Sequence, residues 1–413
     1  MARRTVWVCS GVALGLLLLL TGMVPASASP EAGGAGGAAG AVASRRSVWL
    51  QVTAGDRHTC GLTVTGRLYC WGSDAAGQLG DGGTNTDQGA PVEVAGGRRI
   101  WAQVSAGGFH TCARTLQGQL WCWGSDFWGQ LGDAGANTDV GEPVQVTGGS
   151  GRWADVSAGY QHTCARSASR HLWCWGNDGS GRLGDDAAVA DRNAPVEVAG
   201  ATADWKAVTA GIFHTCGIRA TGRLFCWGLD SAGQLGDGPP LAEQHTPVEV
   251  AGGRTDWTSV DLGRSHTCGL QRRGTLSCWG WDQAGQLGDD ATNANQAAPV
   301  IVAGGASRWT SVATGGYHTC AAGRVAGRAA DQVFCWGLDT YGALGDGPPL
   351  ANQPLPVAVA GASGFLASVE AGEYHTCARV GLGRLSCWGL DSNGQVGDGG
   401  AAVDQPAPVS VAG

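Results

Sequence analysis

His58, Cys60 and Cys70 stand at fixed spacing in the phrase HTCGLTVTGRLYCWG, residues 58–72. Alternate residues of an extended strand share a face. His58 and Cys60 would therefore present together, and a hairpin folding back after Thr63 would set Cys70 against Cys60. One imidazole and two sulfurs are zinc-ligand chemistry. Two opposed cysteines are also disulfide chemistry, since directly paired strand residues lie within bridging distance. Recurrence, missing ligands and compartment decide between the two.

The phrase occurs seven times. Its histidines are His58, His110, His162, His214, His266, His318 and His375, at five steps of 52 residues and one of 57. Each copy brings two cysteines: Cys60 with Cys70, Cys112 with Cys122, Cys164 with Cys174, Cys216 with Cys226, Cys268 with Cys278, Cys320 with Cys335 and Cys377 with Cys387. The sixth pair carries the five extra residues. No fourth ligand recurs and the spacing matches no zinc module, so no metal site is expected. If Val64-Thr65-Gly66 is a three-residue loop with glycine in the left-handed position, Cys60 faces Cys70. Gly118, Gly222, Gly274 and Gly383 recur at this place, and Arg170 breaks the rule. Seven disulfides within repeats are expected, each closing a loop of about 11 residues and adding about 2–3 kcal/mol.

The start of the chain supplies an oxidising compartment. Arg3 and Arg4 precede the apolar run VALGLLLLLTGMV, and Ala26-Ser27-Ala28 follows as a cleavage site. Residues 1–28 read as a secretory signal peptide, and export permits disulfides. Residues 29–47, SPEAGGAGGAAGAVASRRS, read as a flexible Ala/Gly-rich linker. A secreted, extracellular protein is expected, with no membrane contact once the signal is removed. The chain holds 26 basic and 34 acidic residues. Without Arg3 and Arg4 the balance is 24 against 34, a net charge of −10. With one lysine, Lys206, and no basic block, nucleic acid is not an expected partner.

The elements that must position these residues follow from the period. Repeats near fifty residues mean solenoids or propellers. In the second unit IWAQVSAG, HTCART, QLWCWG and PVQV read as short strands broken by glycine and Asx turns, with no helical period. Residues 48–413 are therefore expected to be all-β, a seven-bladed propeller of four-stranded antiparallel blades. The long link from CWG to PV suggests a crossing between blades. On that phasing Pro408–Val411 completes the blade begun at Trp49, and the N- and C-terminal strands pair to close the ring. One large aromatic per repeat, Trp71 and its six counterparts, is expected between blades.

The phrases AGDRHTCGL, GRLYCWGSDAAGQLGDG and APVEV, with their counterparts over residues 48–413, resemble the regulator-of-chromosome-condensation (RCC1) repeat family, here as a secreted bacterial member. The resemblance implies the seven-bladed propeller. The family's founder is a nuclear exchange factor for a small GTPase and binds chromatin, but the motifs that match are scaffold motifs, so an exchange role rests on fold analogy alone. One departure stands out. Where the family often has asparagine after W-G-x, all seven units carry aspartate: Asp74, Asp126, Asp178, Asp230, Asp282, Asp339 and Asp391. With the later aspartate of G-Q-L-G-D and its counterparts this places two carboxylates in each loop. The D-x-D-x-D spacing of a calcium loop is absent, and turn-forming Asx residues explain them.

Catalysis needs one asymmetric constellation, whereas the repeated His and Asp occur in seven equivalent settings. The unrepeated His171 and His245 have no nucleophile motif beside them. No enzyme and no cofactor are expected. Function then belongs to what varies on the constant frame. The residue after W-G is Ser73, Ser125, Asn177, Leu229, Trp281, Leu338 and Leu390 in turn, and Phe127 and Trp128 follow in the second loop. Just before the repeated histidine come Arg57, Phe109, Gln161, Phe213, Ser265, Tyr317 and Tyr374. Loop aromatics make good anchors. Phe127, Trp128, Trp281, Leu229, Leu338 and Leu390 are the candidate partner-binding residues of a monomeric interaction scaffold. The expected partner is a secreted or surface protein, with a glycan or cell-wall polymer as the alternative.

Overall fold

The computed structural model describes residues 47–413, apart from Arg98, Ser150, Ala201, Thr292, Ala329, Gly364, Phe365 and Leu382. The signal peptide and nearly all of the linker lie outside the described residues. Residues 45–413 form one compact unit.

Seven four-stranded sheets follow one another along the chain. In the first blade β1 (Trp49–Ala54), β2 (His58–Thr63), β3 (Leu68–Gly72) and β4 (Gln88–Glu93) pair in sequence order, all antiparallel. The β2–β3 hairpin has the expected register, with Cys60 opposite Cys70 and Leu62 opposite Leu68. Gly66 holds a left-handed φ of 79°, and the Thr63 N–H donates to the Arg67 carbonyl at 2.9 Å. Arg170, the exception in sequence, adopts the same left-handed conformation at φ 69°. The turn type is therefore kept without its glycine, at the strain cost of a side chain in that region.

All seven expected disulfides are formed, with Cα–Cα distances of 4.0–4.1 Å. Those distances are those of directly opposed, non-hydrogen-bonded strand pairs. All fourteen sulfur-bearing side chains are buried.

The ring closes differently from the sequence expectation. Gln405–Ser410 pairs with Arg384–Gly389 of its own repeat, not with the blade begun at Trp49. Each P-V strand likewise pairs with the C-W-G strand before it, so every blade is one unbroken stretch of chain. The long loop does reach the neighbouring blade, but it returns. Trp123 Nε1 of the second blade donates to the Gln78 carbonyl in the first blade's loop at 3.0 Å. The loop's length is used in reaching that indole and coming back. Closure between the last and first blades repeats the same contact, Trp71 Nε1 to the Gln395 carbonyl at 3.0 Å.

The core accordingly lies between blades. One cluster joins Cys60, Leu62, Leu68 and Leu79 of the first blade to Trp101, Val104 and Trp123 of the second. The seven tryptophans after the second cysteine are fully buried. Gly80 shows why glycine recurs in G-Q-L-G: its φ is +70°, and an added Cβ would sit 2.3 Å from Trp123 Nε1.

Candidate partner-binding face

The loops joining first to second strands and third to fourth strands emerge at one end of the ring. Loop 73–87 shows how they are built. The Asp74 carboxylate accepts the Leu79 N–H at 2.9 Å, the Asp74 N–H donates to Asp87 Oδ1 at 2.9 Å, and Asp81 Oδ1 accepts the Gly83 N–H at 2.8 Å. Burial pushes the Asp74 carboxyl up to about 6, partly offset by the Leu79 bond. The repeated aspartates therefore serve as local turn supports. Leu79 is fully buried beneath them.

The Gln78 carbonyl is the hub of this construction. It accepts Trp123 Nε1–H and also Thr111 Oγ1–H at 2.8 Å, while Thr111 Oγ1 lies 2.8 Å from His58 Nε2. The threonine's one proton is committed to the carbonyl, so its oxygen accepts from the imidazole, and the proton sits on Nε2. Every seam repeats the His-to-Thr pair, ending with His375 to Thr59. Burial holds His58, His110, His214, His266 and His375 down to about 3 and His318 to about 4. The histidines of the opening phrase thus fasten blade to blade as neutral rings. Each lies turned to the neighbouring blade's threonine, and the sulfurs are bonded to one another.

Upon this uniform base the face varies. The N–H of each residue after W-G bonds the carbonyl of the residue before the histidine, as Trp281 does to Ser265 at 2.8 Å. The two variable positions therefore lie side by side around the mouth of the central channel. Trp281 packs edge-on against Tyr317 at 5.7 Å, Tyr317 stacks on Tyr374 at 5.6 Å, and Tyr341 meets Tyr374 edge-on at 5.5 Å. The Arg264 guanidinium lies 5.4 Å from the Phe213 ring and 5.5 Å from Tyr317, and its Nη1 is 3.3 Å from Glu373 Oε1. Four rings and a cation thus form one platform over the fifth to seventh blades.

The candidate residues divide. Trp281 is half-buried within the platform. Phe127 is 69% exposed and packs only on half-buried Trp128, at 4.8 Å. Among the described residues no ring contact links this pair to the platform. Leu229 and Leu338 are half-buried, but Leu390 is 8% exposed and belongs to the core of the loop, a correction to its reading as an anchor. It lies beside Arg57, Tyr341 and Val403.

Sequence reasoning passed over the position two before the histidine. It reads Asp56, Gly108, Tyr160, Ile212, Arg264, Gly316 and Glu373. That column varies more in chemistry than its neighbours, and this was the available signal. Burial, then a hydrogen bond and charge repulsion from Glu373, push the Asp56 carboxyl up to about 8. Behind it the channel, with a volume of about 270 Å³, is lined by residues from all seven blades. Asp261 there accepts the Thr314 N–H at 2.6 Å and Oγ1–H at 3.0 Å. Burial and the nearby Asp261 push Glu370 up to about 8.

Comparison with known proteins matches residues 38–321 to the RCC1-like domain and residues 330–379 and 367–395 to the regulator of chromosome condensation repeat. The chain is 32% identical over 327 residues to the ultraviolet-B receptor UVR8 of Arabidopsis thaliana, covering 76% of this chain and 72% of that protein. Among solved structures, human WBSCR16 superposes with a TM-score of 0.76 at 20% identity, over 84% of this chain and 95% of that one. Prp20p of Saccharomyces cerevisiae, described with its binding properties to Gsp1p and histones, gives 0.74 at 21% identity, over 85% and 87%. With seven blades, their shared loop hubs and these matches together, the chain belongs to the regulator of chromosome condensation repeat family.

Proposed function

We propose that this propeller is a secreted, non-catalytic protein-binding module that grips its partner with the long-loop face. The observation that carries this reading is the platform of Trp281, Tyr317, Tyr374 and Tyr341 with Arg264. Rigid aromatic rings and an arginine are the residue types that dominate binding energy at protein interfaces. In the first blade the equivalent positions carry Ser73, Ala76, Arg57 and Asp56, with no aromatic ring. Prp20p, which shares the fold and binds Gsp1p and histones, supports the same use of the propeller. The face is also rich in carboxylates, so a partner with a basic surface around an apolar centre fits it best.

Pull-down from secreted proteins, with the protein wild type or carrying Trp281→Ala and Tyr374→Ala, tests the reading. The expected result is a partner retained by the wild type and lost with the platform. Retention of wall polysaccharide instead, or of the same partner by both forms, would refute it.

A further inference from the structure

The two ends of the ring carry opposite charge. Among the described residues, the loops at the long-loop end hold 23 carboxylates and three arginines, Arg57, Arg182 and Arg264. The loops at the other end hold nine arginines and two carboxylates, Asp204 and Asp256, and the adjoining strand ends add Glu93, Glu197 and Glu249, of which Glu93 and Glu249 pair with Arg67 and Arg223, so this end stays net positive. The net charge of −10 conceals this. Arg170, Arg254, Arg272, Arg273 and Arg328 are all exposed there.

The same end carries exposed apolar side chains: Val48 at 44%, Val64 at 57%, Ile100 at 49% and Leu116 at 60%. They are contiguous. The Val64 N–H bonds the Val48 carbonyl at 3.0 Å, the Leu116 N–H bonds the Ile100 carbonyl at 3.1 Å, and the Ile100 side chain lies over Gly66 in the loop of Val64. The blade does not need them, because the third and fourth blades place Arg152 with Ala168 and Asp204 with Ala220 at these positions. Leu50, 45% exposed, stands beside them where other blades carry Ala, Lys or Thr. The chain also enters the propeller at this end, at Trp49.

We infer that this end of the propeller docks on an anionic lipid bilayer, against the expectation from the apolar runs of the sequence that the mature chain has no membrane contact. Arginines near a negatively charged membrane surface are attracted within a Debye length. The apolar tips of the first two blades enter the boundary between headgroup and acyl chain, as the apolar side of an interfacial element does. The carboxylate-rich end is repelled and faces away, which fixes the orientation and leaves the aromatic platform open. A soluble polyanion would use the arginines but has no place for Ile100 and Leu116. The bilayer uses both.

The test is cosedimentation of the chain from Arg45, the compact unit with all seven blades, with vesicles of phosphatidylcholine alone or mixed in equal parts with phosphatidylglycerol. Binding is expected to the mixed vesicles and not to phosphatidylcholine alone, weakening as salt is raised. Arg272→Glu with Arg273→Glu should lower binding about tenfold or more. Ile100→Ser with Leu116→Ser should lower it about threefold or more, with melting temperature unchanged. Should the first pair fail to fold, Arg254→Glu with Arg328→Glu takes its place. Failure to bind the mixed vesicles overturns the inference. So does binding that ignores the Ile100 and Leu116 changes and is competed by polyphosphate, which would mark an affinity for anions alone. Charge-dependent self-association without vesicles, with no vesicle binding, would assign the surface to a second copy. None of these outcomes bears on the partner expected at the opposite face.

Discussion

The seam between blades and the rim around the channel mouth are made from adjacent residues, yet they follow opposite rules. At the seam His58, Thr111, Gln78 and Trp123 meet in a hydrogen-bonded set that recurs at all seven interfaces. One or two residues earlier in the chain, Asp56 and Arg57 occupy positions at which no two successive blades carry the same pair. A seam must satisfy buried polar groups, and few side chains can do that. The rim positions are mostly half-buried at the channel mouth and have no recurring polar group to satisfy, so they tolerate substitution. The difference places variation on the rim and constancy at the seam, and each can be perturbed without the other.

The largest effect is expected from Gly132→Ala. The residue holds φ +69°, and a Cβ would meet Trp175 Nε1 at 2.4 Å. Strain and overpacking together should cost about 3–5 kcal/mol. A thermal melt, or the yield of purified protein, reads it. A near-normal melt would show that the seam can adjust and that its uniformity is not forced by packing.

Acid should separate the two regions next. His58 and its counterparts titrate far below their unfolded value of 6.5. Their contribution is complete above pH 6.5 and is lost as pH falls toward 3. The loop aspartates act oppositely: Asp74, raised to about 6 from 3.8, favours the folded state most below 3.8 and ceases to do so as pH rises through 6. Between about pH 4 and 6 the two nearly cancel, because the slope counts protons rather than shift size, and the raised carboxyls that release a proton on unfolding are as numerous as the histidines that take one up. Melting temperature should therefore change little between about pH 6 and 4 and fall steeply below 3.8, where the unfolded carboxyls are protonated too, and a profile that stays flat toward pH 3 would contradict the buried neutral rings. Above pH 6 a gentler decline is expected as Glu370 and Asp56, both raised to about 8, ionise in the channel and at its mouth.

Removing one staple is expected to be milder. Cys112→Ala with Cys122→Ala should cost about 2–3 kcal/mol, uniform from blade to blade because the pairs are equivalent. Equal losses at Cys216/Cys226 and Cys112/Cys122 would confirm the seam as a repeated unit, and unequal losses would show that the blades differ in their reliance on it.

The staples and the blade count were legible in sequence because both are local and repeated. Cys60 and Cys70 lie in one hairpin, and its turn announces itself in Gly66. The His-to-Thr bond was not legible, since His58 and Thr111 are 53 residues apart and their acceptor is a backbone carbonyl, which no side-chain pattern reveals. Blade phasing was misread for a related reason. A fifteen-residue link looked like a crossing, whereas loop 73–87 reaches across to Trp123 and returns to pair as β4 with β3. At the rim Trp281 was visible because a tryptophan replaces serine or leucine. Arg264 and Glu373 were not, because they pair from equivalent positions 109 residues apart, in blades that are not sequence neighbours, and a repeat pattern does not say which copies meet.

The smallest effect on stability, and the sharpest test of the division, belongs to the rim aromatics. Trp281 touches Tyr317 but is half-buried, and Phe127 is mostly in water. Neither contributes to a seam. Trp281→Ala should therefore leave the melting temperature nearly unchanged while weakening partner binding by about 2 kcal/mol, the scale of an interfacial anchor. Phe127→Ala is the internal control. It lies outside the four-ring platform, so a partner centred on Tyr317 and Tyr374 should lose less with Phe127 than with Trp281. The reverse order would move the binding centre to the second blade, with Trp128 as its anchor. A fall in melting temperature with either change, and intact binding, would mean that these rings cap the loops as part of the frame, and the contrast between seam and rim would fail where it is most exposed.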